Sequence, residues 1–288
     1  MPDKQSITVS IVWDFDGPIG QINSSYPYNF KKENFETELR NVERLLEIAE
    51  SRSLKFVFAA TGFSAEEGIS PVNFPDLIRE MATKGHEIAS HSWKHEWFPH
   101  LREDQIRKSL KRSKLILDKA SGFEDAVKGF VPPFSRPMTW LKKGAFSWGD
   151  RSAFPLYRGC DIQSLTRIAS SSNYRWMRIS YNPFWYQIRR KKRDRLSMKP
   201  EFVNGVLLLP QDYMGFDKNA LETVKRGIDL NRDIVISGHP MALSLSKNEA
   251  WKYFIPFMDK LLQFRDQNQV KIDTIENRLH GYKNSAIQ

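Results

Sequence analysis

The chain has 288 residues, 40% of them hydrophobic and 27% charged, which suits a globular protein with a sizeable core and excludes a disordered chain. One cysteine, Cys160, excludes an internal disulfide framework, and no stretch approaches the roughly 18 consecutive apolar residues of a membrane-spanning helix. Lysine and arginine number 44 against 34 acidic residues, a formal charge of +10 that favours anionic partners without choosing among them.

The first residues carry no apolar leader and run into ITVSIVW (7–13), a β-branched segment that predicts a buried strand ending at Asp14 and Asp16. A cytoplasmic protein is the expectation. Residues 33–52 place Phe35, Leu39, Val42, Leu45, Leu46 and Ile48 at helical spacing. KFVFAA (55–60) predicts a second strand, 74–83 a helix stopped by Gly85, and HEIAS (86–90) a third strand that delivers His91 and His95. Residues 103–120 form a strongly amphipathic helix, and 128–131 a short strand broken by Pro132-Pro133. A helix is expected near 138–143, with short strands near 155–158 and 175–180. Then come an aromatic cluster, Phe184-Trp185-Tyr186, and a basic run from Arg189 to Arg195. Order returns with a strand at 204–209, a helix at 217–229, a strand at 233–237, a helix at 247–264 and a last strand at 270–272. Alternation at this spacing implies βαβ units, a parallel sheet, and a single barrel domain over 1–288 with a basic aromatic insertion near 181–199.

Candidate site residues fall at the C-terminal ends of expected strands, where parallel barrels carry their chemistry. His91 and His95, four apart, would face the same way on a helical turn and can share one ion. Asp14 and Asp16, two apart in a strand, would face one cavity, and two buried like charges need a shared cation or proton. Two imidazoles with one carboxylate leave open positions on an ion, while the other carboxylate is free to act as a general base. Another apolar strand, Ile234-Val235-Ile236-Ser237, leads into Gly238-His239.

These segments resemble, in order, the motifs of the polysaccharide deacetylase family, the NodB-homology carbohydrate esterases. The acidic motif is similar to Asp14-Phe15-Asp16-Gly17-Pro18, and His-Ser/Thr-x-x-His is matched by His91-Ser92-Trp93-Lys94-His95. The third motif, Arg-x-Pro-Tyr/Phe, is matched in part by Val131-Pro132-Pro133-Phe134, and the last by the strand leading into His239. The resemblance implies a distorted (β/α)7–8 barrel, α/β in class, and a divalent metal ion, usually zinc, on Asp16, His91 and His95. It further implies Asp14 as the base and His239 as the acid that protonates the leaving amine. The substrate implied is an N-acylated amino sugar, and the charge suits a phosphorylated or lipid-linked one. Val131 stands where the family has an arginine paired with the base, and Arg136 is the candidate replacement. For the acidic residue that supports the catalytic histidine, Trp148-Gly149-Asp150 and Asp212 are the candidates. Pro133, Phe134 and Trp148 are read as supporting or substrate-facing residues.

Segment 181–199 reads as a solvated loop, with peripheral contact to anionic membrane as the functional alternative. Nucleic acid is not expected, because one short basic run makes a poor binding surface. Two other activities remain open: a deformylase or amidase acting on a small molecule, and a non-catalytic carbohydrate-binding or scaffold barrel, for which Val131 is the feature in favour. The oligomeric state is not encoded in any of these patterns.

Overall fold

The computed structural model describes residues 6–24, 31–98, 101–135, 162–179, 199–245, 247–279 and 281–282. Arg136, Trp148, Asp150, the elements expected near 138–143 and 155–158, and nearly all of 181–199 lie outside them.

The described strands are β1 (Ile7–Phe15), β2 (Val57–Ala60), β3 (Glu87–Ser90), β4 (Gly129–Phe130), β5 (Trp176–Ile179), β6 (Glu201–Val203), β7 (Val206–Pro210), β8 (Tyr213–Met214), β9 (Ile234–Gly238) and β10 (Val270–Ile272). They form one sheet in the order β6-β7-β5-β4-β3-β2-β1-β9-β8, with β10 pairing β1. All pairings are parallel except β6–β7. Since β7 and β8 lie near opposite ends of this order but only Gln211 and Asp212 separate them in the chain, the sheet must curl until its ends approach. The result is a distorted α/β barrel whose seam is this short link.

The helices are α1 (Gly17–Ser24), α2 (Lys32–Ser51), α3 (Pro75–Thr83), α4 (Glu103–Ser121), α5 (Ile162–Ser170), α6 (Lys218–Asp229) and α7 (Trp251–Asp266). Their ends follow local chemistry. Pro75 opens α3, Asp217 accepts the Asn219 amide at the start of α6, and Gly122, at φ 81°, closes α4 in the left-handed region that glycine tolerates.

Strand alternation divides the core. Ile7, Val9, Ile11, Trp13 and Phe15 of β1 pack outward with the buried faces of α2, α4 and α7. Val12, Val57, Ala59, Ala89, Val131, Trp176, Leu207, Leu209 and Val235 pack together inside the barrel. A strand's side chains alternate in direction, so the next inward positions toward the C-terminal ends are fixed. They include Asp14, His91, Arg178, Gln211 and His239.

Two expectations change, and one helix is new. Residues 204 and 205 are not strand: Asn204 (φ 50°) and Gly205 (φ 78°) make the two-residue turn of the antiparallel β6–β7 hairpin, which suits an Asn-Gly pair. The segment after Asp16 winds into α1, and α7 begins at Trp251 rather than at 247.

Gly129 marks the tightest point of the interior. A Cβ there would lie 2.0 Å from the Trp176 indole, which is fully buried and donates to Glu87 at 2.7 Å, so the ring has little freedom to retreat. Gly129→Ala should therefore lower unfolding free energy by about 1–3 kcal/mol, the usual penalty of overpacking. Denaturant melts would show it as a lower midpoint at unchanged slope, and a wild-type midpoint would contradict this packing.

Candidate active site

Asp14, near the end of β1, is 1% exposed and makes a bidentate ion pair with Arg178 of β5, at 2.7 Å (Oδ1 to Nη1) and 2.6 Å (Oδ2 to Nη2). Burial pushes the Asp14 carboxyl up, but the Arg178 charge and bonds outweigh it and hold the group below the usual carboxylate range. Arg178 thus holds the contact that the arginine of the third motif would make. Val131 packs in the barrel interior, where its carbonyl accepts from His91 Nδ1 at 2.7 Å. The sequence pattern points to Arg136 for this role, not to Arg178. The signal for Arg178 is a lone arginine at an inward position of a short apolar strand.

Asp16 lies one residue past β1. Its Oδ1 is 3.3 Å from His91 Nε2 and 3.5 Å from His95 Nε2. The His pair does not sit on a helical turn. The turn through residues 92–94 brings the two rings to 4.8 Å between centroids, with Ser92 at φ 66° and His95 at φ 57°. Donation from His91 Nδ1 to the Val131 carbonyl fixes the ring with Nε2 toward Asp16. On His95, Ser24 Oγ lies 3.2 Å from Nδ1. Burial pushes the His95 imidazole down to about 4, against the pull of Asp16, so it is neutral near pH 7. Burial alone would raise Asp16, but the neighbouring His95 and His91 rings bring it well below its ordinary value.

Asp16 Oδ1 is buried and has no hydrogen-bond partner, an orphan that a cation would satisfy. One ligand atom from each of Asp16, His91 and His95 lies within 4.8 Å of the others. The donor set fits a divalent transition ion such as zinc, and iron, cobalt or manganese accept similar ligands.

His239 follows β9, with Nε2 3.8 Å from Asp14 Oδ2. Its Nδ1 meets Glu249 Oε2 at 2.8 Å, and its backbone amide donates to the same oxygen at 2.6 Å. Burial would lower the imidazole, but the Glu249 bond and charge, with Asp14 and Asp16, push it up to about 10. Glu249 therefore makes the contact sought at Asp150 and Asp212. Asp212 is engaged elsewhere, accepting from Arg232 and from the Val235 amide, both at 2.8 Å. Nothing in the local pattern distinguishes Glu249, which lies in an irregular stretch ten residues beyond the histidine.

Pro133 is buried, and Phe134, half-buried with φ 65°, sets its ring 4.6 Å from His95 and 6.3 Å from Trp97. Glu38, from α2, is a further residue the sequence did not announce. Burial and the Asp16 charge push its carboxyl up to about 8.

The α/β barrel thus carries at one end an Asp/His/His cluster that could hold a cation and, beside it, a separate Asp–His pair. The family model described as polysaccharide deacetylase matches residues 33–148, which include His91, His95 and Phe134 but neither the Asp14/Asp16 pair nor His239. Peptidoglycan-N-acetylglucosamine deacetylase of Bacillus cereus is 26% identical over 97 residues, 34% of this chain and 32% of that protein. Chitin deacetylase 1 of Saccharomyces cerevisiae is 34% identical over 67 residues, 23% of this chain and 22% of that protein. The matches therefore span a third or less of either relative. A solved structure from Mycobacterium smegmatis, assigned to the polysaccharide deacetylases, superposes with a TM-score of 0.67 at 17% identity, covering 99% of this chain and 93% of that one. The Xyl-CE4 domain of a xylanase from the hindgut metagenome of Trinervitermes trinervoides gives 0.52 at 14% identity, covering 97% and 92%. A Bacillus anthracis protein described as a CE4 family pseudoenzyme gives 0.51 at 12% identity, covering 96% and 66%. Together the comparisons show a likeness in sequence to polysaccharide deacetylases within residues 33–148 and a likeness in fold to solved structures of that type. Among the described residues no helix is long and apolar enough to cross a membrane.

Two measurements follow. Arg178→Met leaves Asp14 buried without its cation and should cost about 3–5 kcal/mol in unfolding free energy. A loss below about 1 kcal/mol would contradict the pair as described. In the metal-free protein the His239 contribution to stability is present below its ordinary value of 6.5 and is lost as pH rises through about 10. The His239 ring resonance, followed by NMR, should therefore not titrate between about pH 6 and 8. Glu249→Gln should bring its midpoint down, and a wild-type midpoint near 6.5 would contradict the Glu249 contact.

Proposed function

We propose that the chain hydrolyses the N-acyl amide of an acylated amino sugar, with the acetyl group as the favoured acyl. The observation that carries the reading is the convergence on one rim of an orphaned Asp16 oxygen, two imidazoles and an acid–base pair 3.8 Å apart, Asp14 and His239. Asp16, His91 and His95 would hold the ion, zinc by preference. When bound, a divalent cation there supplies Lewis-acid chemistry, making a water nucleophilic near neutral pH and polarising an amide carbonyl.

The chain's own residues divide the remaining work. Asp14 accepts the proton of the attacking water. Arg178 keeps Asp14 ionised and fixes its orientation. His239, charged and held by Glu249, protonates the departing nitrogen, without which an amine is a poor leaving group. Phe134 stands beside His95, with Trp97 on Phe134, as an apolar wall suited to a sugar ring. The +10 charge favours a phosphorylated or lipid-linked sugar over a neutral one, and segment 181–199 is the candidate for membrane contact. The non-catalytic reading drew on Val131; the Arg178 cation paired with Asp14 from β5 supports the catalytic reading instead.

Acetate release from N-acetylglucosamine oligomers and from sugar phosphates tests this. Zinc-loaded protein should release acetate, chelation should stop it, and Asp14→Asn should reduce turnover by about 10²- to 10⁴-fold. Formate or ammonia as the product would favour the amidase alternative. Equal turnover by the chelated protein, or by Asp14→Asn, would overturn these roles.

A further inference from the structure

α2 buries two polar side chains near the site, and the proposed reaction uses neither. Asn41 is accounted for by the fold, since its amide donates to the Pro240 carbonyl at 2.8 Å and to Ser244 Oγ at 2.9 Å, and accepts from Trp251 at 3.1 Å. Glu38 is not accounted for in this way. It is 1% exposed, and its Oε2 accepts from Gln21 Nε2 at 2.6 Å. Its Oε1 is buried and has no partner. An unsatisfied buried polar atom costs about 1–3 kcal/mol, and a well-packed apolar side chain in its place is often neutral or stabilising. The fold alone thus gives no reason for an acid at this position.

The surroundings do give one. The Glu38 carboxyl sits against the backbone amide and charge of Asp16. Gln21, its bonded partner, belongs to α1, the helix that directly follows Asp16. The Gly20 amide donates back to the Asp16 carbonyl at 3.1 Å. The far end of α1 reaches the histidine turn, where Asn23 Nδ2 donates to the Lys94 carbonyl at 2.5 Å and Ser24 Oγ meets His95 Nδ1 at 3.2 Å. One short helix therefore touches two of the three candidate ligands, and Glu38 ties that helix to α2.

We propose that Glu38 is a positioning residue of the cation site, clamping α1 through Gln21 and backing Asp16 so that Asp16 and His95 present their ligand atoms together. The inference rests on the metal reading above. Outer contacts of this kind typically change metal affinity by 10- to 100-fold. A purely structural Glu38 would contribute to stability instead, so the two roles separate when stability and cation affinity are measured on the same variants.

The test uses the full chain, titrated with cobalt(II) and followed by its visible absorption, beside thermal unfolding of the metal-free protein. Glu38→Met should keep or raise Tm and weaken cobalt binding by about 10- to 100-fold. Gln21→Leu, which cuts the same contact from α1, should weaken binding similarly. Glu38→Gln, which retains an acceptor for Gln21, should stay close to wild type. Wild-type affinity in folded Glu38→Met overturns the inference and leaves the metal reading intact. Should Glu38→Met not fold, Gln21→Leu decides, and wild-type affinity there likewise overturns it. A wild-type chain that takes up no cobalt removes the metal reading and this inference together.

Discussion

The Asp14–Arg178 ion pair is the interaction on which the rest of the site depends. In the sheet order β5 and β1 are separated by β4, β3 and β2. Four strand spacings of about 4.8 Å would put the two strands about 19 Å apart in a flat sheet, far beyond the reach of two side chains. Contacts at 2.6 and 2.7 Å therefore require the curl of the barrel, and the pair ties one wall to the other across the interior. Each charge alone would be costly to bury. Paired and bidentate, they leave an ionised carboxylate on a dry wall, where the proposed reaction would need its proton acceptor.

The same interior sets two carboxylates and two imidazoles to different tasks. Asp14 is neutralised by a guanidinium, while Asp16, one pleat further on, has two imidazoles beside it and keeps Oδ1 without a hydrogen-bond partner. Burial drives His95 neutral, whereas at the more exposed His239 the Glu249 carboxylate outweighs desolvation and keeps the ring charged. Neutral rings suit a cation site and a charged ring suits proton donation, so the division follows from each residue's immediate neighbours rather than from residue type.

Much of this was legible in the sequence, for identifiable reasons. β1 and the helices α2, α4 and α6 announce themselves because their apolar residues recur at the period of the element they form. Asp16, His91 and His239 were legible because each follows an apolar strand by one residue, and His95 because it completes a short motif with His91. What escaped depends on contacts remote in sequence. Arg178 serves Asp14 from a strand 164 residues away, whereas the family pattern directs attention to the segment beside Pro132. Glu249 and Glu38 carry no local signature, since their meaning comes only from what packs against them. The expected strand at 204–209 merged the Asn204-Gly205 turn with β7 and missed the three-residue β6, although the dipeptide itself favours a hairpin. The helical turn expected at His91–His95 yielded to a turn with left-handed residues, because the histidines must converge on Asp16 and not merely face one way.

The central claim is that distant segments of the chain converge to hold one cation between Asp16, His91 and His95. Anomalous diffraction from crystals grown with zinc, measured on either side of the zinc absorption edge, tests it most directly. The account predicts a single strong peak about 2.0–2.2 Å from Asp16 Oδ1 and from Nε2 of both His91 and His95. No peak among these three side chains, or a zinc ion bound at other residues while they stay unligated, would contradict it.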